Sequence, residues 1–270
     1  IYTSHFMRFP PEMHGRIYST IPTRLDLQEY SFRKSLRKLY RKVQEQFEVR
    51  SGMPMVWDKA MEQVHEKYQA AFPDRPLADL EVYQAKPAGP FTFDTRCVKV
   101  FHQGNLIAFS VFNLGEESLY SSQGIYDPEW SRYSLGFFTM LEEIRYAQQT
   151  GRSYFYPGYV VPGYPEFDYK KRVGPLEFFL LQTREWVPET EVAPEQIPVN
   201  QMREALKALK NKLQIAGLDS HLLEYALFDI RFFDNRPLPF LEFPLLLLIG
   251  TPEPARYCPA VVFIPELQQY

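Results

Sequence analysis

One stretch, Tyr126 to Lys170, constrains the fold more than any other: YDPEWSRYSLGFFTMLEEIRYAQQTGRSYFYPGYVVPGYPEFDYK. Tyr126-Asp127-Pro128 breaks whatever precedes it, because a residue before proline is pushed out of the helical region and Asp readily closes turns. Phe137, Met140, Leu141, Ile144 and Ala147 then form one helical stripe, with Ser134 as the expected N-cap and Gly151 as the stop. Tyr154-Phe155-Tyr156 is a short β-prone run, which Pro157-Gly158 is expected to end or bulge before Tyr159-Val160-Val161 resumes. The order is strand, helix, strand, with a break in the middle of the last strand.

The flanks supply further strands and helices. Ile1 to Leu27 reads as short strands and turns, and Trp57 to Phe72 as a helix with Trp57, Ala60, Met61, Val64, Tyr68 and Ala71 on one stripe. Strands are expected at Glu81–Ala85, Arg96–Phe101, Leu106–Phe112 and Ser118–Ile125, with Gln103-Gly104-Asn105 as a hairpin turn. Farther on, Val199–Ile215 reads as an amphipathic helix stopped by Gly217, and Asp219 as the cap of a shorter helix reaching Phe228. Ile230–Phe233, Leu238–Ile249 and Ala260–Ile264 read as strands. By pattern alone this is an α+β chain with a mixed sheet.

With 45% hydrophobic and 16% aromatic residues, 270 residues can bury a sizeable core in one large domain or two. Cys97 and Cys258 lie far apart, and the five histidines show no ligand spacing, so neither a disulfide framework nor a metal site is expected. The two separated cysteines suit a reducing compartment, and the expected location is the cytoplasm. The longest apolar candidate, Phe243 to Ile249, contains Pro244 and is far shorter than the roughly 20 residues of a membrane span. No membrane association is therefore expected.

A net charge of -3 argues against a uniformly basic nucleic-acid binder, so any such role needs a local patch. Arg33, Lys34, Arg37, Lys38, Arg41 and Lys42 supply one. At helical spacing, 33, 37 and 41 lie beside 34, 38 and 42 in two like-charged rows, which repel by some tenths of a kcal/mol per pair unless a polyanion meets them. A solvated face neutralised by nearby acids is the alternative.

The start of the central helix is the other place where chemistry can be sought. Its unpaired amides carry about half a positive charge, and Gly136 adds no bulk, so Ser134, Leu135 and Gly136 can accept a phosphate or a developing oxyanion; an ordinary core helix explains the same residues. The chain contains no Ser/His/Asp or Cys/His nucleophile set and no glycine-rich nucleotide loop.

Ser134-Leu135-Gly136, the helix, Tyr154-Phe155-Tyr156-Pro157-Gly158-Tyr159, Asp168-Tyr169-Lys170, Pro175-Leu176-Glu177 and Glu185-Trp186-Val187-Pro188 together resemble arginyl-tRNA-protein transferases and their bacterial leucyl-transferring relatives. The likeness runs from Tyr120 to about Pro188. It implies a GNAT-like (N-acetyltransferase-type) fold, aminoacyl-tRNA as donor and a protein or peptide N-terminus as acceptor, with no cofactor. By the same resemblance Ser134, Gly136, Tyr169 and Lys170 are the catalytic candidates. Tyr156, Tyr159 and Arg172 would contact substrate, and the six cations from Arg33 to Lys42 would contact tRNA phosphates. Two departures stand out. Pro22-Thr23-Arg24-Leu25 resembles a family element, but the family's cysteine cluster before it is absent, so no iron-sulfur, haem or redox role carries over. Pro165-Glu166-Phe167-Asp168 stands where the family commonly has Cys-Pro-Lys-Met.

The expected organisation is an N-terminal region with the basic helix (1–56), a GNAT-like transferase core (57–189) and a C-terminal extension (190–270). The expected activity is aminoacyl transfer from tRNA. The alternatives are an acyl-CoA N-acyltransferase, whose usual pyrophosphate loop is missing before the helix, and an inactive module that binds peptide termini or RNA.

Overall fold

The computed structural model describes residues 6–8, 16–73, 94–225, 243–250 and 258–270. In chain order these form β1 (Phe6–Arg8), β2 (Ile17–Ser19), β3 (Ile21–Asp26), α1 (Lys34–Gln44), β4 (Glu48–Pro54) and α2 (Lys59–Ala71). Next come β5 (Asp94–His102), β6 (Asn105–Leu114), β7 (Ser118–Tyr126), α3 (Leu135–Gln149) and β8 (Tyr154–Val160). The remainder is β9 (Glu177–Leu180), β10 (Glu185–Pro188), α4 (Pro198–Ile215), β11 (Ser220–Glu224), β12 (Leu245–Ile249) and β13 (Ala260–Val261). Two compact units share these elements: Arg24–Gly158 with Lys170–Leu176, and Ile1–Thr23 with Tyr159–Tyr169 and Glu177–Tyr270. The expected strands at Glu81–Ala85 and Ile230–Phe233 lie outside the described residues.

In the unit built on Arg24–Gly158, β4, β5, β6 and β7 form an antiparallel run, and β8 joins β7 in parallel. A parallel neighbour needs a crossover, and α3 is that crossover. The antiparallel strands, helix and parallel strand expected of a GNAT-like α+β chain are thus present. The hairpin between β5 and β6 turns on Gln103 (φ 51°) and Gly104 (φ 80°), both left-handed as a two-residue turn of this hand requires.

The β7–β8 ladder is short, pairing Ser118–Tyr120 with Tyr154–Tyr156. Pro157 has no N–H to donate, so the ladder ends there, and an irregularity in β7 between Ser121 and Gln123 reinforces the divergence. Of the two outcomes expected at Pro157-Gly158, an end or a bulge, β8 does not end: it continues to Val160, with Gly158 at φ 99° absorbing the distortion.

Residues alternate across this sheet. Phe112 and Val98 pack with Phe137, Met140, Leu141 and Ile144 of α3 and Leu36 of α1, whereas Phe109, Val111 and Ile125 pack with Met61, Val64 and Tyr68 of α2. Asp58 caps α2 by accepting from the Met61 amide at 2.9 Å. Strand β4 occupies a place where Gly52 to Pro54 reads in the sequence only as punctuation between elements. Gly52 explains both readings: it has φ +72° at a register shift in the β4–β5 ladder, and a Cβ there would lie 2.1 Å from Cε2 of Tyr146.

In the other unit β1 pairs with β2, β9 with β10, and β12 with both β11 and β13, all antiparallel. Met202 and Leu206 of α4 pack with Phe6, Ile17, Ile21, Phe178, Leu245 and Leu247, and Ser19 Oγ accepts from the Val199 amide in the first turn of α4 at 2.9 Å. The helix expected to start at Asp219 is corrected over its described part: Ser220–Glu224 is strand β11, paired with Leu245–Ile249. A partner more than twenty residues away in sequence decides that segment, which local propensity cannot anticipate. Within the segment expected as strand at Ala260–Ile264, β13 covers Ala260–Val261 and Ile264 forms a single bridge to Gln269.

Candidate active site

Asp127 organises the entry to α3. Its carboxylate accepts from the Glu129 amide at 3.1 Å, starting the 3-10 turn Pro128–Tyr133, and pairs with the Lys67 ammonium of α2. Ser134 follows with φ 53° and ψ 44°, a left-handed residue between turn and helix. The expected side-chain cap is corrected: Ser134 makes none. Capping needs extended backbone so that the hydroxyl folds back over the first turn, and Ser134 instead closes the 3-10 turn by donating its N–H to Ser131 O at 3.0 Å. The amides of Leu135 and Gly136 consequently have no acceptor among the described residues. They are two donors at the positive end of a 15-residue helix. Gly136 is also a packing glycine. A Cβ there would come 3.2 Å from the Tyr126 ring, and one at Gly124 would come 3.3 Å from the Gly136 carbonyl oxygen.

Lys170 and Arg172 lie in the 3-10 segment Pro165–Val173. Lys170 is 9% exposed, and burial pulls its ammonium down to about 8, since a charged amine is poorly solvated there. Arg172 lays its guanidinium over the Phe137 ring in the first turn of α3, 4.5 Å from the centroid. Its carbonyl accepts from Arg33 Nη2 at 3.2 Å. The structure therefore joins Arg33, Arg172 and the start of α3. Tyr30 locks the chain just beyond: its hydroxyl donates to the Val173 carbonyl, burial raises its pKa to about 12 against the pull of Arg33, and its ring fills the side-chain space at Gly174. Asp26, Glu29, Tyr30 and Arg33, together with Lys171 and Gly174, line an open cleft of about 630 Å³.

The three tyrosines divide between the two units. Tyr156 is half-buried on β8. In the other unit, Tyr159 packs on Phe167 at 5.2 Å, Phe167 on Tyr164 at 5.9 Å and Tyr164 on Tyr18 at 5.9 Å, while Tyr169 is 44% exposed.

The basic run forms α1, preceded by Arg33, and all six cations are exposed while Leu36 and Val43 are buried. Among the described residues none of Lys34, Arg37, Lys38 and Arg41 forms an ion pair. No described group of His, Cys, Asp or Glu has the arrangement of a metal site. No described helix is long and apolar enough to cross a membrane.

Residues 36–180, rather more than half of the chain, match the family model described as arginine-tRNA-protein transferase, C terminus. The chain belongs to the arginine-tRNA-protein transferase family. An aspartate/glutamate leucyltransferase of Leptospira interrogans is 38% identical over 74 residues, covering 27% of this chain and 29% of the relative. One from Ruegeria pomeroyi is 30% identical over 134 residues, covering 48% of this chain and 49% of the relative. The chain thus spans between 29% and 49% of the length of these curated relatives. Among solved structures, the GCN5-related glucosamine N-acetyltransferase region of a fungal β-N-acetylglucosaminidase overlaps it with a TM-score of 0.40 at 15% identity, covering 59% of this chain and 19% of that one.

In this member of the transferase family, α3 also holds two buried carboxyls that the apolar-stripe reading passes over. Glu142 accepts from the Tyr40 hydroxyl of α1 and from Ser51 Oγ of β4 at 2.6 Å. Tyr40 is driven to a higher pKa by burial and by that carboxylate. Glu143 is fully enclosed, and burial raises its carboxyl to about 8, with Ser110 and Ser121 opposing the shift. Those hydroxyls lie close, yet neither carboxyl oxygen has a partner in hydrogen-bond geometry, and Ser110 Oγ has none either. The signal was readable: from Leu135 to Ile144 the only charged residues are Glu142 and Glu143, so a helix enclosed on every side must bury them.

Proposed function

We propose that this chain moves an amino acid from a charged tRNA to the N-terminal amine of a protein or peptide. Family membership supports the reading, and one junction carries it. Arg172 lies over Phe137 at the start of α3 while its carbonyl is held by Arg33, so the helix with two acceptor-free amides adjoins the helix that, with Arg33 before it, carries the six exposed cations.

The chemistry suits such a site. The neutral acceptor amine attacks the ester carbonyl carbon, the C–N bond forms and the carbonyl electron pair moves onto oxygen. When that oxyanion collapses, the bond to the ribose oxygen of the terminal adenosine breaks, and the proton released by the amine ends on the ribose oxygen. The protein must align the reactants and stabilise the oxyanion, and it need not form a covalent bond to substrate. The Leu135 and Gly136 amides beside Ser134 are assigned to the oxyanion, and the α1 cations to the tRNA backbone. Lys170, poorly screened because it is buried, is assigned to an anionic group of the acceptor or donor. Tyr156 is assigned to the pocket wall; Tyr159 and Tyr169 keep the roles that the resemblance implies.

The relatives are named for aspartate, glutamate and leucine, so leucyl-tRNA and peptides with acidic N-terminal residues are the first combination to test. Incubation with each labelled aminoacyl-tRNA and with peptides of varied N-terminus should give label transfer that acetyl-CoA does not replace; saturable acetyl-CoA turnover would overturn the reading. In the same assay Lys170→Met should cost most with acidic acceptors if Lys170 holds the acceptor, and equally with all acceptors if it holds the donor. Wild-type rates with every acceptor remove Lys170 from the site.

A further inference from the structure

The 3-10 turn just before Ser134 carries a cation–aromatic cluster that the transfer chemistry leaves unused. Buried Phe47 supports two rings edge to face: Tyr133 at 4.9 Å and 88°, and Trp130 at 5.5 Å and 87°. Those rings are tilted only 33° from one another, with centroids 5.9 Å apart, and both are partly exposed. His102 packs on Trp130 at 4.6 Å and on Phe47 at 5.8 Å. Two cations lie over the Tyr133 ring, Arg132 Cζ 4.9 Å and Lys42 Nζ 5.3 Å from its centroid, and Arg132 Nη2 donates to the Tyr133 hydroxyl at 3.1 Å. Lys42 belongs to the exposed basic face of α1, so that face continues onto this ring.

We propose that Tyr133, with Trp130 beside it, is the stacking platform for the unpaired 3′ end of the donor tRNA, and that Lys42 and Arg132 hold the adjoining phosphates. A ring flanked by cations matches a base attached to a phosphate, whereas an acidic peptide would use the cations and leave the rings idle. Position supports the same occupant. Tyr133 immediately precedes Ser134 and the acceptor-free amides of Leu135 and Gly136. A terminal nucleoside stacked on Tyr133 is thus held by the residue next in the chain to Ser134 and the donors assigned to the oxyanion. The proposal rests on the reading of charged tRNA as donor.

The test measures affinity for two uncharged tRNAs, one intact and one lacking its last three unpaired nucleotides. Wild type should bind the intact form more tightly. Tyr133→Ala should lose roughly tenfold on the intact tRNA, the scale of one stacked base, and little on the shortened one. Tyr133→Trp should restore the preference, and it serves as the readout if the alanine variant does not fold. A folded Tyr133→Ala that retains the wild-type preference, or one that loses equally on both RNAs, overturns the platform. If Arg37→Glu/Arg41→Glu still abolishes binding in that case, the tRNA reading stands without it. Absence of tRNA binding by the wild type at low salt overturns both.

Discussion

Helices α1 and α3 are neighbours, packed through the Tyr40 and Phe138 rings at 5.5 Å, yet they treat charge in opposite ways. On α1 the buried residues are Leu36 and Val43, and every cation faces solvent. On α3 nearly everything from Leu135 to Ile144 is buried, two glutamates included. A charge without a partner at a surface costs the fold little and remains available to a ligand. A charge inside must be hydrogen-bonded, as Glu142 is, or neutralised, as Glu143 is. Charge on α1 is therefore left free of any structural duty, and charge on α3 bears on stability.

The largest effect that would sharpen this contrast is expected at Glu143. Its carboxyl titrates near 8 in the folded protein rather than near 4.5. Below the lower value both folded and unfolded chains carry the proton and nothing is lost. Between the two values only the folded chain holds it, so stability falls as pH rises, and above about 8 the penalty is complete. Glu143→Gln should thus raise stability by roughly 4 kcal/mol at pH 8 and change it little at pH 4.5. Urea midpoints at the two pH values measure this; a variant as pH-dependent as wild type would show that Glu143 is ionised and paired.

One position earlier the sign reverses. Glu142→Ala strands the Tyr40 and Ser51 hydroxyls and should lower stability by about 2 kcal/mol. Equal urea midpoints for the variant and wild type would mean that water replaces the carboxylate without loss.

On α1, Arg37→Glu/Arg41→Glu should weaken tRNA binding by at least about tenfold and flatten the slope of log affinity against log salt by roughly 2. Unchanged affinity would return this face to solvated charge. The smallest effect belongs to the same variant: its stability should stay within about 0.5 kcal/mol of wild type, because no described acid pairs with either arginine. A larger loss would mean that α1 charge holds the fold together and would erase the distinction between the two helices.

What the sequence by itself determined is whatever repeats with a local period or sits at a local stop. The stripe of α3 and its end at Gly151, the Met61, Val64 and Tyr68 part of the α2 stripe (its Ala60 and Ala71 are exposed), the helix α4 with its stop at Gly217, the turn at Gln103-Gly104 and the cationic rows of α1 all belong here. Each follows from neighbours within about one or two helical turns, or from backbone freedom at a single residue. Only the tertiary structure decided what depends on distant partners. Glu48–Pro54 became a strand because β5 pairs with it, and Ser220–Glu224 because β12 does. Ser134 lost its expected cap because a 3-10 turn fixed by Asp127 and Lys67 delivers it in the left-handed conformation. Lys170 was buried, and Arg172 was set on Phe137, by elements separated from them in sequence. Burial and charge environment are properties of the space between elements, and a one-dimensional pattern carries that space only where, as in the enclosed run around Glu142 and Glu143, no polar face is left to meet water.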